Sequence, residues 1–257
     1  MPAVGELVGT RREGDVSVLT LRRPEKLNAI STDVERELAA RFEDEDVRKS
    51  RALVVCGEGR AFSAGADVGE FSDRDPAAIV AYYRETGAIF ERFATLPVPT
   101  IVAIHGYCLG AALELSLAAD FRVADETASF GLPEVALGIL PSSGGTHRLV
   151  RLLGTARAKE LVLLRERIDA AEALRVGLVT EVVHAGSAVE RALELARHLA
   201  SLPPLAVSVT KEAIDAMGDS SRDASLLIER LAYAALAQTE DARAGLDAFA
   251  SRRRSDD

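Results

Sequence analysis

Twice in this chain a short apolar strand breaks at glycine and continues as a helix, once across residues 52–80 and again across 100–118. The first unit begins "RALVVCGEGRAFSAGAD" (51–67) and the second "PTIVAIHGYCLGAALELSLAAD" (99–120). A uniformly apolar strand of this length reads as buried on both faces, and each such unit aims the free N–H groups of a helix start at whatever occupies the glycine turn. Further strands are expected at "VSVLTLRRP" (16–24), "FRVAD" (121–125), "ASF" (128–130) and "GLVTEVV" (177–183). The run "STDVERELAARFEDED" (31–46) opens with capping residues and carries its charges at helical spacing, which predicts an amphipathic helix. From about residue 188 onward the pattern is helical throughout. Strands alternating with helices and then a helical tail predict an α/β core, residues 1–195, with a C-terminal helical region, 196–257.

The charge balance narrows the partners. A net charge of -9 over 257 residues disfavours nucleic acid and an acidic membrane surface, since phosphate binding needs a clustered basic face. The start, "MPAVGELVGTRREGD", has no basic segment followed by an apolar run, and no stretch reaches membrane-spanning length. Cys56 and Cys108 stand apart in apolar context and read as reduced core residues, so the expected compartment is the cytoplasm. No phosphate-binding loop, dinucleotide fingerprint or nucleophile elbow is present, and His105, His147, His184 and His198 lack metal-ligand spacing. What remains is chemistry done by carboxylates or backbone dipoles.

Two acids stand out. Glu114 interrupts the apolar helix "GYCLGAALELSLAAD" (106–120), and Glu134 interrupts "FGLPEVALGILP" (130–141) just after Pro133. A carboxylate taken from water without partners costs several kcal/mol or takes up a proton. An isolated acid is more often a solvated helix position. Two of them, each beside a glycine turn, point to function, although spacing alone does not bring them together.

The runs "GRAFSAGAD" (59–67), "GYCLGAALELSLAADFRVA" (106–124) and "FGLPEVALGILPSSGGTHRL" (130–149) resemble the enoyl-CoA hydratase/isomerase, or crotonase, family. "RRPEKLNAIS" (22–31), "RIDAAEALRVGLVTEVV" (167–183) and "VTKEAI" (209–214) match it in the same order, so the resemblance spans nearly the whole chain. It implies the crotonase fold, a spiral of ββα units followed by a helical region that builds trimers, often paired into hexamers. It implies that Ala66 and Ala111 donate backbone N–H groups to a thioester oxygen. It implies that Glu114 and Glu134 act on one water, Glu114 accepting its proton and Glu134 supplying a proton to C2. Contacts to coenzyme A are implied for Lys26, Leu27, Ala29, Ala64, Asp67 and Val68, and for Lys211, Phe249 and Arg252 near the C-terminus. The expected reaction is hydration of a 2-trans-enoyl-CoA to a 3-hydroxyacyl-CoA, with no metal and no bound cofactor, coenzyme A being part of the substrate. Double-bond isomerisation, which commonly relies on one acid, is the alternative within the family. A non-enzymatic thioester- or RNA-binding relative is the alternative outside it.

The chain departs from the family's pattern in places. Gly110, Ala111 and Ala112 stand where three glycines are common, Ser142–Ser143 replace smaller residues, Arg165 takes the place of a turn glycine, and the helix after Asn28 is shorter. None of these changes touches the acids.

Overall fold

A computed structural model describes residues 6–70, 75–165 and 167–255, with Pro76 and the last five of these described by their backbone alone. Contacts divide the chain into two units, Met1–Leu199 and Ala200–Asp257.

The first unit is built on a sheet of six strands. A hairpin joins β1 (Val8–Glu13) to β2 (Val16–Leu21) through Gly14, whose φ of 62° suits a tight turn. From β2 onward the pairing is parallel, through β3 (Ala52–Gly57), β4 (Thr100–Ile104), β6 (Phe121–Asp125) and β9 (Glu181–Val183). Every residue of β4 is buried, as expected for a parallel sheet covered on both faces. A second sheet sets β5 (Tyr107–Leu109) parallel to β7 (Ser129–Gly131), and β7 antiparallel to β8 (Ile168–Asp169). The strands expected from the sequence are present. The edge strand β1 and the short β5 and β8 were not anticipated.

Helices cover these sheets. Ser31 caps α1 (Thr32–Glu43) by accepting from the Val34 N–H, and α2 (Glu45–Arg48) follows directly. Asp75 caps α3 (Pro76–Ala94) in the same way, accepting from the Ala78 N–H. The buried α4 (Ala111–Leu117) starts at Gly110, and α5 (Gly145–Lys159) starts at Gly144 and kinks at Gly154. A π-helical turn (Glu160–Leu164) then ends at Arg165 in an extended conformation (φ -116°, ψ 120°) that needs no glycine. The unit closes with α6 (Ala170–Val176) and most of α7 (Ala188–Ser201). The second unit holds α8 (Pro204–Met217), α9 (Arg222–Leu236) and α10 (Glu240–Ser255), with α8 packed on α9. Among the described residues no helix is long and apolar enough to cross a membrane.

One core contact is polar. Glu35 on α1 is buried, and its carboxyl accepts from the Tyr82 hydroxyl and the Thr86 hydroxyl of α3, both at 3.1 Å. Burial raises its pKa from 4.5 to about 7 against the opposing pull of those two hydrogen bonds, with Glu70 and Glu85 adding to the rise. A carboxyl whose pKa is higher folded than unfolded contributes stability fully below the unfolded value, and that contribution is lost as pH rises through the folded value. Urea denaturation of the native chain and of Glu35→Gln should therefore diverge between pH 4.5 and 7. The native chain loses up to about 3 kcal/mol relative to the variant over that interval. Parallel curves would show that Glu35 is ionised without cost.

Candidate active site

The site is assembled where two glycine turns meet. The first follows β3. Ile30 forms a parallel bridge with Ala66, its N–H donating to the Gly65 carbonyl (2.8 Å) and its carbonyl accepting from the Asp67 N–H (2.9 Å). In that pattern the N–H of Ala66 points away from Ile30, and among the described residues nothing accepts from it. The second turn is Gly110, where φ is 52° and ψ -127°. Ala111 opens α4, so its N–H has no acceptor within the helix. Ala111 and Ala112 both lie inside the helix, where alanine serves as well as glycine. The turns touch at Gly65: with φ at +100°, a β-carbon there would stand 2.6 Å from the Leu109 carbonyl oxygen. Only glycine lets the two turns come this close, and a β-carbon at Gly65 would also stand 3.6 Å from the Ala111 nitrogen.

The first turn is held from beneath by Asn28, which the sequence reading passed over. Asn28 is buried, with φ at 54°. Its side chain accepts from the Arg23 N–H and donates to the Glu58 and Ala61 carbonyls, each at 2.8 Å. Its own carbonyl accepts from the Ser63 hydroxyl at 2.8 Å. Arg23 donates to the Ala29 carbonyl (2.7 Å) and to Asp67 (3.0 Å), and Lys26 lies 3.5 Å from the same Asp67 oxygen. The hydrogen bond from Arg23 holds the Asp67 carboxyl below its usual range, with the Lys26 charge assisting. Leu27 accepts at its carbonyl from the Ala64 N–H. Lys26, Leu27, Ala29, Ala64, Ala66 and Asp67 thus form one polar rim, and Val68 beside it is exposed. Lys211 on α8 and Phe249 on α10 belong to the C-terminal unit, and the Arg252 side chain lies outside the described residues.

Glu114 is buried one turn into α4. Its Oε1 accepts from the backbone N–H groups of Ser143 (2.8 Å) and Gly145 (2.9 Å). Gly145 has to be glycine, because a β-carbon there would lie 2.5 Å from Glu114 Cγ. Burial raises the Glu114 pKa, while the donors at Gly145, Ser143 and Ser142 and the charge of Arg148 work to lower it. Sequence reasoning named Ser142 and Ser143 only as departures from a pattern. Here Ser143 supplies a main-chain donor, for which its side chain is immaterial.

Glu134 sits in a 3₁₀ turn (Pro133–Leu137) that follows β7, with Pro133 at its first position. Its apolar neighbours in sequence do not enclose it: Val135, Leu137, Ile139 and Leu140 are exposed. The carboxylate itself turns inward. Glu134 Oε1 lies 3.1 Å from where a β-carbon on Gly110 would be, and Oε2 is buried without a partner among the described residues. Gly110 also donates its N–H to the Gly131 carbonyl (2.9 Å), which ties the second turn to the strand leading into Glu134. Burial raises the Glu134 pKa from 4.5 to about 7, and the Glu114 charge adds to the rise. Glu114 Oε1 is thus supplied with two main-chain hydrogen bonds, whereas Glu134 Oε2 has no partner among the described residues, its own main chain being the donor that opposes the rise. Among the described residues no group of three His, Cys, Asp or Glu side chains is placed to hold a metal ion.

This fold is shared with known proteins. Residues 11–256 match the enoyl-CoA hydratase/isomerase family, and the chain belongs to it. It is 38% identical over 254 residues to the 2,3-dehydroadipyl-CoA hydratase of Escherichia coli, covering 98% of each chain. It is 37% identical over 249 residues to a probable enoyl-CoA hydratase of Mycobacterium bovis, covering 96% of each. Among solved structures, the enoyl-CoA hydratase of Bacillus anthracis superposes with a TM-score of 0.89 at 36% identity, covering 96% of both chains.

The asymmetry of the two acids can be measured directly. Difference infrared spectroscopy of the native chain against Glu134→Gln should show a carboxyl that loses its proton near pH 7. A Glu134 band that titrates near the ordinary 4.5 would contradict the burial described here.

Proposed function

We propose that the chain hydrates 2-trans-enoyl-CoA thioesters to 3-hydroxyacyl-CoA, with Glu114 and Glu134 acting on one water and the Ala66 and Ala111 N–H groups binding the thioester oxygen. The observation that carries this reading is a buried Glu114 with main-chain donors, a Glu134 whose inward Oε2 has none, and two unpartnered main-chain N–H groups at the same turns. Glu114, its pKa raised by burial but supplied with opposing hydrogen bonds from Ser143 and Gly145, is the proton acceptor. Glu134, with an oxygen that no donor reaches, holds a proton near neutral pH and can give it up.

The step balances as follows. As the water oxygen bonds to C3, one of its protons passes to Glu114. The π electrons move toward C2 and the thioester, and the charge building on the thioester oxygen is met by the two N–H groups. They are held in place beforehand by the Gly65–Leu109 approach and the Ile30 bridge, so they need no reorganisation as the charge develops. The proton of Glu134 goes to C2. The product carries the elements of water, Glu114 is left protonated and Glu134 ionised, and proton exchange with solvent resets the pair.

The polar rim at Lys26 and Arg23 suits the coenzyme A portion of the substrate, which is anionic. The resemblance carries Lys211, Phe249 and Arg252 to the same ligand, and the C-terminal helices to assembly as a trimer or a dimer of trimers. In support of assembly, Leu227, Leu231 and Tyr233 on α9 and Leu246 and Phe249 on α10 are exposed apolar side chains in the single chain.

Turnover of crotonyl-CoA, followed by loss of the conjugated enoyl-thioester absorbance, tests the reading. The native chain should hydrate it, and Glu114→Gln and Glu134→Gln should each lose about a hundredfold or more. A native chain inert toward crotonyl-CoA that instead conjugates a 3-enoyl-CoA, with only Glu134 required, would make it an isomerase.

A further inference from the structure

Arg148 lies on the first turn of α5, behind the loop that feeds Glu114. Its Nη1 donates to the Ser143 carbonyl at 3.1 Å, and its Nη2 donates to Glu91 Oε2 on α3 at 2.6 Å. The guanidinium fills the space beside Gly144: a β-carbon there would stand 2.2 Å from Nη1, at a backbone φ of +93°. The Arg148 side chain is 15% exposed, whereas Glu91 is 66% exposed. An exposed carboxylate thus anchors a largely buried cation. That cation grips the same residue, Ser143, whose N–H points at Glu114.

We infer that Arg148 is a positioning residue for the reaction: anchored by Glu91 and gripping Ser143, it holds the 142–145 loop and its main-chain donors in place on Glu114. The inference rests on the reading of Glu114 as proton acceptor and deepens it. It gives α3 a part in the chemistry, through Glu91, that neither glutamate pair nor oxyanion donors require.

The elements packed against α4 carry other charged and titratable groups. From α5 come His147 and Arg151, both exposed. From β5 come Tyr107, also exposed, and the Cys108 thiol, which burial pushes up to about 12 and so keeps neutral. From the 3₁₀ turn comes Glu134, whose negative charge opposes ionisation of Glu114 whenever it has lost its proton. α4 itself carries no second ionisable side chain. Arg148 is the cation whose charge lowers the Glu114 pKa against burial.

The test is the pH dependence of kcat/KM for crotonyl-CoA in the native chain and in Arg148→Gln, Arg148→Lys, Glu91→Gln and Glu114→Gln. A group that must be ionised to act sets the acidic limb of such a profile. Arg148→Gln should move that limb upward by roughly half a pH unit or more and lower kcat more than it changes KM. Arg148→Lys keeps the charge and should restore most of the native limb while keeping a lower kcat, because an ammonium cannot hold Ser143 and Glu91 in the same fork. Glu91→Gln removes the anchor but not the cation, so kcat should fall without an upward shift of the limb.

An Arg148→Gln enzyme that keeps the native limb overturns the inference. Should Arg148→Gln not fold, Glu91→Gln and Arg148→Lys decide it: native kcat in both, or an upward shift of roughly half a pH unit or more in either, overturns it equally. A Glu114→Gln enzyme with native activity overturns the proton-acceptor reading itself, and this inference falls with it. An unmoved limb in Arg148→Gln, on a chain that does require Glu114, removes this inference alone.

Discussion

A carboxylate inside an apolar helix persists only where donors replace the water it has given up, and for Glu114 those donors are main-chain N–H groups on one short loop, Ser143 and Gly145 foremost. Much of the local structure follows from that requirement. The loop has to pass close enough for Gly145 to touch the carboxylate, which excludes any side chain there. It then has to turn at once into α5, which it does through Gly144 in a left-handed conformation. Serine stands at 142 and 143 without harm, because the loop contributes backbone and not side chain to this bond.

The same economy governs the other half of the site. The donors at Ala66 and Ala111 are free because of the elements on either side of them. One is left over from a parallel bridge to Ile30, the other from the start of α4. Neither needs a particular side chain, but both need the chain to be held still. Asn28, with three hydrogen bonds from one amide group, does this for the first turn, and Gly65 against Leu109 sets the distance to the second. Glu134 differs from Glu114 chiefly in what it lacks. Burial raises both carboxyls, but Oε2 of Glu134 has no donor, whereas Glu114 has main-chain donors that pull against the rise.

How much of this the sequence discloses depends on whether the signal is local. The parallel strands are legible because burial on both faces makes them apolar runs, as in Ala52–Cys56 and Thr100–Ile104. The edge strand Val8–Glu13 is not, since half of it faces solvent and reads as a charged loop. The three-residue β5 and two-residue β8 carry too few positions to show any period. Glu114 announces itself as an acid in an apolar helix. Glu134 does so for a misleading reason, because the apolar residues around it in sequence are exposed and its burial comes from residues distant in the chain. Asn28, Ser143, Gly145 and Arg148 act through contacts 5 to 57 positions away, and no spacing rule reaches them. A glycine pair at a helix start was the one available sign.

The central claim is that a single thioester sits between two carboxyls with its oxygen on two main-chain donors. A crystal structure with butyryl-CoA, a saturated thioester that cannot be hydrated, tests it most directly. The account predicts the thioester oxygen within about 3 Å of both the Ala66 and Ala111 nitrogens, with C2 and C3 lying between Glu114 and Glu134. An acyl group bound elsewhere, or an oxygen held by only one of the two N–H groups, would contradict it.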